Sequence, residues 1–484
     1  MVVRSMETLA GGEWTGAAAW VDVFDPVDVR EPVVRVPALG AGDVTRIYDA
    51  AAGGFAVWRR TPALARAKTL GRAAGLLRAR TAEIALAVVT ENGKTLAEAR
   101  GEVEKAADFF EYYAGTLREP YGGLVNDVRP QTRTSFQREP IGVVLAITPW
   151  NDPLLTPARK LAPALAAGNA VVLKPATETP TSALHLARAL HDADLPAGVL
   201  GVVTGRTSEI SDALLDDPRI AAVTFTGGNQ VGEGLRVRLA ARNIRFQGEL
   251  GGKNASVVLA DADLPRAAAA VVAAAFGQAG QRCTATSRVL VERPVYDSFL
   301  SLLRERVAAL RVGPGRDPET AVGPLVSRAH RESVLRDIAV AVEQGARIEL
   351  GGDAPAAFAD GCFVSPTILA EVTTAMDVWR DEVFGPVLIV RPVDGLDQAI
   401  GEVNDSRYGL AAAVFTRDLP AAHRFLDEVD CGQIAVNTTT SGWDVHHPFG
   451  GFRDSGSPFK EQGAEALHFY TRVKTVAIFF GDGV

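Results

Sequence analysis

Cysteine is scarce in this 484-residue chain: Cys283, Cys362 and Cys431 are the whole set. An odd, sparse set excludes a disulfide-stapled scaffold. It fits a reducing compartment and at most one chemically special thiol. A basic excess is also missing, since 50 Lys and Arg stand against 58 Asp and Glu, for a net charge of −8. Nucleic-acid recognition normally calls for a basic face, so no nucleic-acid partner is expected. No apolar run has membrane-spanning length; Ala267 to Phe276 is too short. The start, Met1 to Gly11, carries Arg4 and Glu7 and lacks an apolar signal core, and no lipidation motif is present. These absences predict a cytoplasmic protein without a membrane partner. Internal repeats, low-complexity tracts and His/Cys spacings of metal-binding type are absent too, so no metal is expected.

What is present is an ordinary globular composition, 47% hydrophobic and 22% charged. At about 150 residues per domain the length suggests roughly three structural units. Between Thr95 and Tyr113, Leu96, Ala99, Val103, Ala106, Phe110 and Tyr113 recur three and four apart, which predicts an amphipathic helix. From Ile141 to Glu249, short apolar runs (142–147, 170–174, 201–203, 221–225 and 244–247) alternate with helix-length stretches (153–167, 181–192, 208–215 and 232–242). Runs this short and this apolar suit strands buried on both faces, and their alternation with helices predicts a doubly wound parallel sheet. Ligands of such sheets lie beyond the C-terminal strand ends. A second α/β alternation follows a boundary near Gly251–Gly252 and runs to about Gly450, with helices expected over 267–278, 295–309 and 330–343. Pro120–Pro140 reads as a protruding hairpin, and Tyr470–Phe480 has strand-like content.

Four clusters fall at predicted strand or helix ends. The first strand runs into Thr148-Pro149-Trp150-Asn151-Asp152-Pro153, where two prolines fix a loop and Asn151 offers an amide donor, or simply makes a turn. The second ends in Lys174-Pro175-Ala176-Thr177; a lysine there suits a phosphate or ribose hydroxyl, or is a solvated surface residue. The strand 221–225 leads through Thr226-Gly227-Gly228 to Gly232, a turn that lets a pyrophosphate approach backbone amides without matching the G-x-G-x-x-G fingerprint. Gly280-Gln281-Arg282-Cys283 places a cysteine after a small-residue run that ends a helix. Thiolate chemistry there needs positive potential and partial exposure, and the alternative is an inert core thiol.

Taken jointly, these motifs resemble the aldehyde dehydrogenase superfamily along nearly the full chain. The resemblance rests on Thr148–Asn151, Lys174-Pro175, Phe225-Thr226-Gly227, Glu249-Leu250-Gly251-Gly252-Lys253, Gly280–Cys283, Glu382-Val383-Phe384-Gly385-Pro386 and Pro448-Phe449-Gly450-Gly451, in the family's order. It implies an α/β fold with a doubly wound parallel-sheet cofactor domain (1–119 and 141–251). It also implies a second α/β catalytic domain (252–450) and a small oligomerisation β-extension (120–140 and 451–484). It implies that Cys283 is the nucleophile, that Asn151 and the Cys283 N–H form the oxyanion hole, and that Glu249 is the general base, with Glu461 a further proton carrier. The cofactor, NADP or NAD, is expected against Thr148, Trp150, Lys174, Thr177, Gly227, Gly232, Leu250, Glu382 and Phe384. Thr177 stands where NAD-preferring members often have a glutamate on the adenosine ribose. A hydroxyl can donate to a 2′-phosphate that a carboxylate would repel, so NADP use is expected. Gly228 replaces a common serine.

Arg159 follows Asn151 by about two helical turns and matches the arginine that holds a distal carboxylate in semialdehyde dehydrogenases, unless it is a helix-surface residue. Gln281–Arg288 and Gly442–Phe449 resemble α-ketoglutaric semialdehyde dehydrogenases, which points to a short carboxylated semialdehyde such as 2,5-dioxopentanoate. A neutral aliphatic or aromatic aldehyde is the alternative. Asp152, where many members have an aromatic residue, brings negative charge to the substrate tunnel, and His446 and His447 are candidates for its entrance. A non-catalytic relative would be expected to lack Cys283 or Glu249; a coenzyme-A-acylating enzyme would need to keep a base such as Glu249 away from its thioester; a cysteine hydrolase would lack Lys174 and Glu382. A homodimer or homotetramer is expected, joined through the 120–140 and 470–480 strands.

Overall fold

In the computed structural model, residues 3–119 and 121–481 are described. The β-branched runs after Ile141 become five parallel strands: Val143–Ile147, Ala170–Lys174, Leu200–Val202, Ile220–Thr226 and Arg245–Glu249. Val143–Ile147 is central. The chain steps outward through Ala170–Lys174 to Leu200–Val202, then crosses to Ile220–Thr226 and Arg245–Glu249 on the other side. Helices Leu155–Ala167, Thr181–Asp192, Thr207–Leu215 and Asn229–Ala240 make the connections. This reversal of direction opens a crevice at the C-terminal ends of Val143–Ile147 and Ile220–Thr226, the place where doubly wound sheets bind ligands. Residues 148–151, 226–228 and 249–251 all leave their strands at that rim.

A second sheet of seven strands runs in the order Arg347–Leu350, Thr367–Ala370, Val387–Val393, Arg288–Glu292, Ala255–Val258, Ala411–Phe415 and Gln433–Val436, antiparallel only at its Arg347–Leu350 edge. Its strands and the helices Leu264–Phe276, Tyr296–Ala308 and Arg328–Glu343 enclose one continuous apolar core. The α/β, doubly wound architecture read from the alternation is the one observed.

The expected hairpin is present as Gly122–Val125 paired with Thr132–Pro140; Pro120 lies outside the described residues. Thr471–Phe479 adds to it, antiparallel along nine residue pairs. The rest of the tail touches both domains: Ser455 accepts from Leu250 N through its carbonyl and from Gly409 N through its hydroxyl. Phe469 and Tyr470 are buried with Phe110 and Leu161 in the first domain's core, and Glu461 reaches a buried lysine there. Two N-terminal strands, Trp20–Asp25 and Asp28–Pro37, were not read from the sequence, although Trp20–Asp25 alternates buried Val21 and Val23 with exposed Asp22 and Phe24.

The helix expected through Gln278 stops at Phe276. Gln278, Ala279 and Gly280 follow in left-handed conformation, with φ of 53°, 54° and 70°. Gly280 is required there: a Cβ would lie 2.1 Å from the Gly385 carbonyl oxygen. This tight turn is what delivers Cys283 to the crevice.

Candidate active site

A cavity of about 250 Å³ opens at the sheet rim, lined by Trp150, Asn151, Glu249, Cys283, Glu382 and Phe384 among others. A second recess of about 290 Å³ lies against it, lined by Arg282, Thr284, Lys105, Phe109 and Trp443. Asp152, Arg159, Cys283 and Phe449 border both. Cys283 therefore stands at the junction of two chambers. One is continuous with the glycine turn of the sheet; the other leads away from it.

Cys283 is half-buried, and its carbonyl accepts the Asn254 side-chain amide at 2.7 Å. Burial pushes its thiol up to about 12, and the nearby Asp152, Glu382 and Glu249 charges push the same way against Arg159. The resting sulfur is a neutral thiol rather than the thiolate a positive environment would favour. Asn151 spends one amide hydrogen on the Gln281 carbonyl at 3.0 Å. The Cys283 N–H has no hydrogen-bond partner among the described residues.

Glu249 ends its strand fully inside the protein. Oε1 accepts from Gln247 Nε2 at 3.1 Å, and Oε2 is buried without a partner among the described residues. Burial first, and then the Glu461 charge, hold its carboxyl well above the ordinary value of 4.5. Gly450 leaves room for it, since a Cβ would approach Oε1 to 2.7 Å. Glu461 is the opposite case. Burial opposes its charge, but Lys160 Nζ at 2.5 Å and Arg159 Nη1 at 3.1 Å outweigh that and hold it ionised. Lys160 also donates to Thr224, which bonds Gln247 in turn. A buried polar chain thus runs from Glu249 through Gln247 to Thr224, Lys160 and Glu461.

On the cofactor side, Glu382 Oε1 accepts from Gly252 N at 2.9 Å, and burial raises its carboxyl to about 7. Phe384 packs edge-on to Trp150, 5.3 Å between ring centres. Trp150's carbonyl is fixed by Asn92 and Thr179. Thr148 Oγ1 is buried with no partner among the described residues. Lys174 is buried rather than solvated; burial lowers its amine to about 8, and it donates to the Pro175 carbonyl. Gly227 N is used by the Glu249 carbonyl at 3.1 Å, and Gly232 lets its helix close on Leu250, where a Cβ would meet Cδ2 at 2.4 Å. Thr177 faces a different recess, beside Glu178 and Arg206, and donates to the Gly205 carbonyl at 3.4 Å.

On the other side, Arg159 lies over Phe449 and Phe109, with its guanidinium carbon 4.9 and 5.7 Å from the ring centres. One edge of its fork already serves Glu461. Asp152 does not bring free negative charge to the tunnel as expected: Lys94 Nζ sits 2.6 Å away and Gln278 Nε2 at 3.1 Å. Burial opposes its ionisation, but Lys94 and Arg282 keep it below the usual carboxylate range. His446 and His447 pack edge to face near Asp444 and border neither chamber, as ordinary loop residues do. The sequence reading missed Arg282 as a site residue. Its Nε donates to Gln278 Oε1 at 2.9 Å, and its terminal nitrogens have no hydrogen-bond partner among the described residues. The signal was its place immediately before Cys283.

A thiol, a buried carboxyl with a vacant oxygen and a glycine-turn crevice at the rim of a doubly wound sheet share one cavity, the setting of a dinucleotide-dependent enzyme. The orphaned Thr148 hydroxyl and the cradle at Gly251, where a Cβ would lie 2.3 Å from Glu382 Oε2, fit a bound dinucleotide. The comparisons are more specific. Residues 14–476 match the model of the aldehyde dehydrogenase family. The chain is 41% identical over 470 residues to an alpha-ketoglutarate semialdehyde dehydrogenase of Haloferax volcanii, covering 96% of this chain and 97% of that one. It is 40% identical over 488 residues to a phenylacetaldehyde dehydrogenase of Pseudomonas fluorescens, covering 98% and 96%. Betaine aldehyde dehydrogenase of Staphylococcus aureus in complex with NAD+ superposes with a TM-score of 0.96 at 31% identity, covering 99% and 96%. The chain belongs to the aldehyde dehydrogenase family and is an NAD(P)-dependent oxidoreductase acting on aldehydes; solved relatives hold NAD+ or NADP. Among its described residues no helix is long and apolar enough to cross a membrane.

Proposed function

We propose that the protein oxidises a short carboxylated semialdehyde, 2,5-dioxopentanoate being the first choice, through an acyl-cysteine. The observation that carries this reading is Cys283 at the junction of the two chambers, with Glu249 in one and two guanidinium groups, Arg159 and Arg282, bordering the other. A carboxylate anchored at an arginine fork would leave an aldehyde a few carbons away facing the sulfur.

In this scheme the ionised form of Glu249 takes the Cys283 proton as the sulfur attacks the carbonyl carbon, forming a C–S bond and an alkoxide, and releases that proton to solvent before the hydrolytic step. The second amide hydrogen of Asn151 and the Cys283 N–H hold that oxygen. Thr148, Trp150, Lys174, Thr177, Gly227, Gly232, Leu250, Glu382 and Phe384 would hold NAD(P), with Thr177 and its neighbouring recess at the adenosine end, and the cofactor when bound supplies the hydride acceptor. Loss of hydride from the carbon leaves a thioester on Cys283. Glu249, ionised for this step, takes a proton from water as the water oxygen attacks the thioester, and the C–S bond breaks to release the acid. The Glu461–Lys160–Thr224–Gln247 chain donates toward Glu249 at each link from Lys160 on, and so fixes the Gln247 amide that orients the Glu249 carboxyl.

Thr177 in place of a carboxylate, with Arg206 bordering the same recess, supports NADP use. Free Cys283, Cys362 and Cys431 support a reducing, cytoplasmic setting. Exposed Leu124, Val473, Ile478 and Phe479 on the three-stranded extension, and the outer Gln433–Val436 edge of the large sheet, support a homodimer or homotetramer. Reduced-nicotinamide absorbance with neutral, aromatic and carboxylated aldehydes and both cofactors tests the reading. The highest kcat/KM is expected for a carboxylated semialdehyde with NADP. A neutral or aromatic aldehyde ahead of it refutes the substrate, and a preference for NAD of about a hundredfold refutes the cofactor reading, since it equals more than 2.5 kcal/mol against NADP.

A further inference from the structure

One ring in the cofactor-side wall has no role in the scheme above. His330 projects from the first turn of the Arg328–Glu343 helix, whose Ser327 cap accepts the His330 N–H at 3.2 Å. Its imidazole lines the Cys283 cavity but not the outer recess. It lies 5.1 Å from Trp150 and 6.2 Å from Phe384, ring centre to ring centre, and its Nε2 is 2.8 Å from the Phe384 carbonyl oxygen. Phe384 has φ of 56°. A bulky non-glycine residue persists in that region only when its surroundings force it to. Two polar ties hold this turn to the rest of the cavity: Glu382 to Gly252 N, and Phe384 O to His330.

We infer that His330 is a positioning residue, a latch from the Arg328–Glu343 helix that holds the Phe384 turn in its left-handed form and so completes the wall against which the nicotinamide end of the cofactor is received. A carbonyl can only accept, so the proton of the imidazole is on Nε2 and the ring donates. Burial holds His330 below its ordinary value, which keeps it neutral at pH 7. With Trp150 fixed by Asn92 and Thr179, the latch locks Phe384 against a wall that is already rigid. Because His330 is absent from the outer recess, its loss should be felt by cofactor and not by aldehyde.

The inference rests on the cofactor site proposed above, and the experiment separates the two. The Kd for reduced cofactor is measured by direct titration for the parent, His330→Ala and His330→Gln, with amide hydrogen exchange of residues 382–387 in the ligand-free proteins. Glutamine carries an amide donor of similar reach. His330→Ala should weaken the Kd about tenfold and speed exchange across the turn, the size expected for losing one hydrogen bond to a constrained carbonyl. His330→Gln should restore most of both, and the KM for aldehyde should move little in either variant. Equal losses in the two variants, an unchanged Kd, an unchanged exchange pattern in His330→Ala, or a parallel rise in aldehyde KM would overturn the latch. A parent protein that binds no nicotinamide dinucleotide would instead overturn the cofactor site, while the exchange measurement would still read the latch.

Discussion

Replacing Arg282 by alanine isolates the carboxylate-binding step. Among the described residues its one side-chain hydrogen bond is Nε to Gln278, so truncation leaves no buried charge unpaired: Asp152 keeps Lys94 and Gln278. A charge-assisted hydrogen-bonded pair contributes about 1.5–3 kcal/mol, or roughly 10- to 150-fold in binding. Arg282 is half-buried in a recess open to solvent, which places the expected loss at the lower end, about 10- to 30-fold. The assay compares kcat/KM for 2,5-dioxopentanoate with that for pentanal, a chain of the same length without the carboxylate. Arg282→Ala should lower the first and leave the second, so their ratio falls. Arg159→Ala behaves differently, because Arg159 also neutralises buried Glu461 and covers Phe449. It should depress both substrates by stripping a partner from a buried carboxylate, with a further loss specific to the carboxylated one. An unchanged ratio in Arg282→Ala would refute the outer recess as the carboxylate site. An unchanged KM for the semialdehyde in Arg159→Ala would remove Arg159 from it.

Cys283→Ala should abolish turnover, and peptide-mapped alkylation at pH 7 should label Cys283 slowly, because burial pushes its thiol up to about 12; rapid labelling would contradict the neutral resting sulfur. Glu249→Gln should block release of the acid, and in the parent kcat should fall on acidification as the raised carboxyl takes up its proton, so a flat acid limb would remove Glu249 as the base. The same group makes a stability prediction. A folded value above 4.5 means that stability is full below that pH and is lost as pH rises through the folded value. Glu249→Gln should therefore melt higher than the parent at pH 8, with a smaller difference at pH 5. Thr177→Glu should cut the ratio of kcat/KM for NADP to that for NAD by at least about tenfold through repulsion of the 2′-phosphate, and an unchanged ratio would place that phosphate elsewhere.

The sheets were legible because their strands are covered on both faces. Val143–Ile147 and Ala170–Lys174 read as unbroken apolar runs, and their bounds agree with the observed strands to within a residue. The crevice was legible for a related reason: Pro149, Pro153, Gly227 and Gly228 punctuate strand ends, and a doubly wound sheet gathers those ends at one rim. Pairing of charges was not legible. Nothing in the local sequence says that Lys94 crosses to Asp152, or that Lys160 rather than its neighbour Arg159 takes the shorter contact with Glu461. Asp152 therefore read as free charge, and Lys174 as a surface residue when taken alone.

Burial is the physical cause at both positions. An ion buried alone costs far more than the site can return, so buried charges are either set against opposite charges, as Lys94 is with Glu102 and Asp152 and Lys160 and Arg159 are with Glu461, or meet neutral dipoles and shift toward the neutral form, as Lys174 and Glu382 do. Glu249 is of the second kind. It has no cation within hydrogen-bonding distance, only the Gln247 amide on one oxygen, and it meets the burial cost by holding its proton. A carboxyl left neutral and half-satisfied beside a neutral thiol has no structural purpose that an apolar side chain would not serve better. Its cost is intelligible only if the vacant oxygen is kept for a molecule that arrives later, and the cavity it faces is the one that holds Cys283.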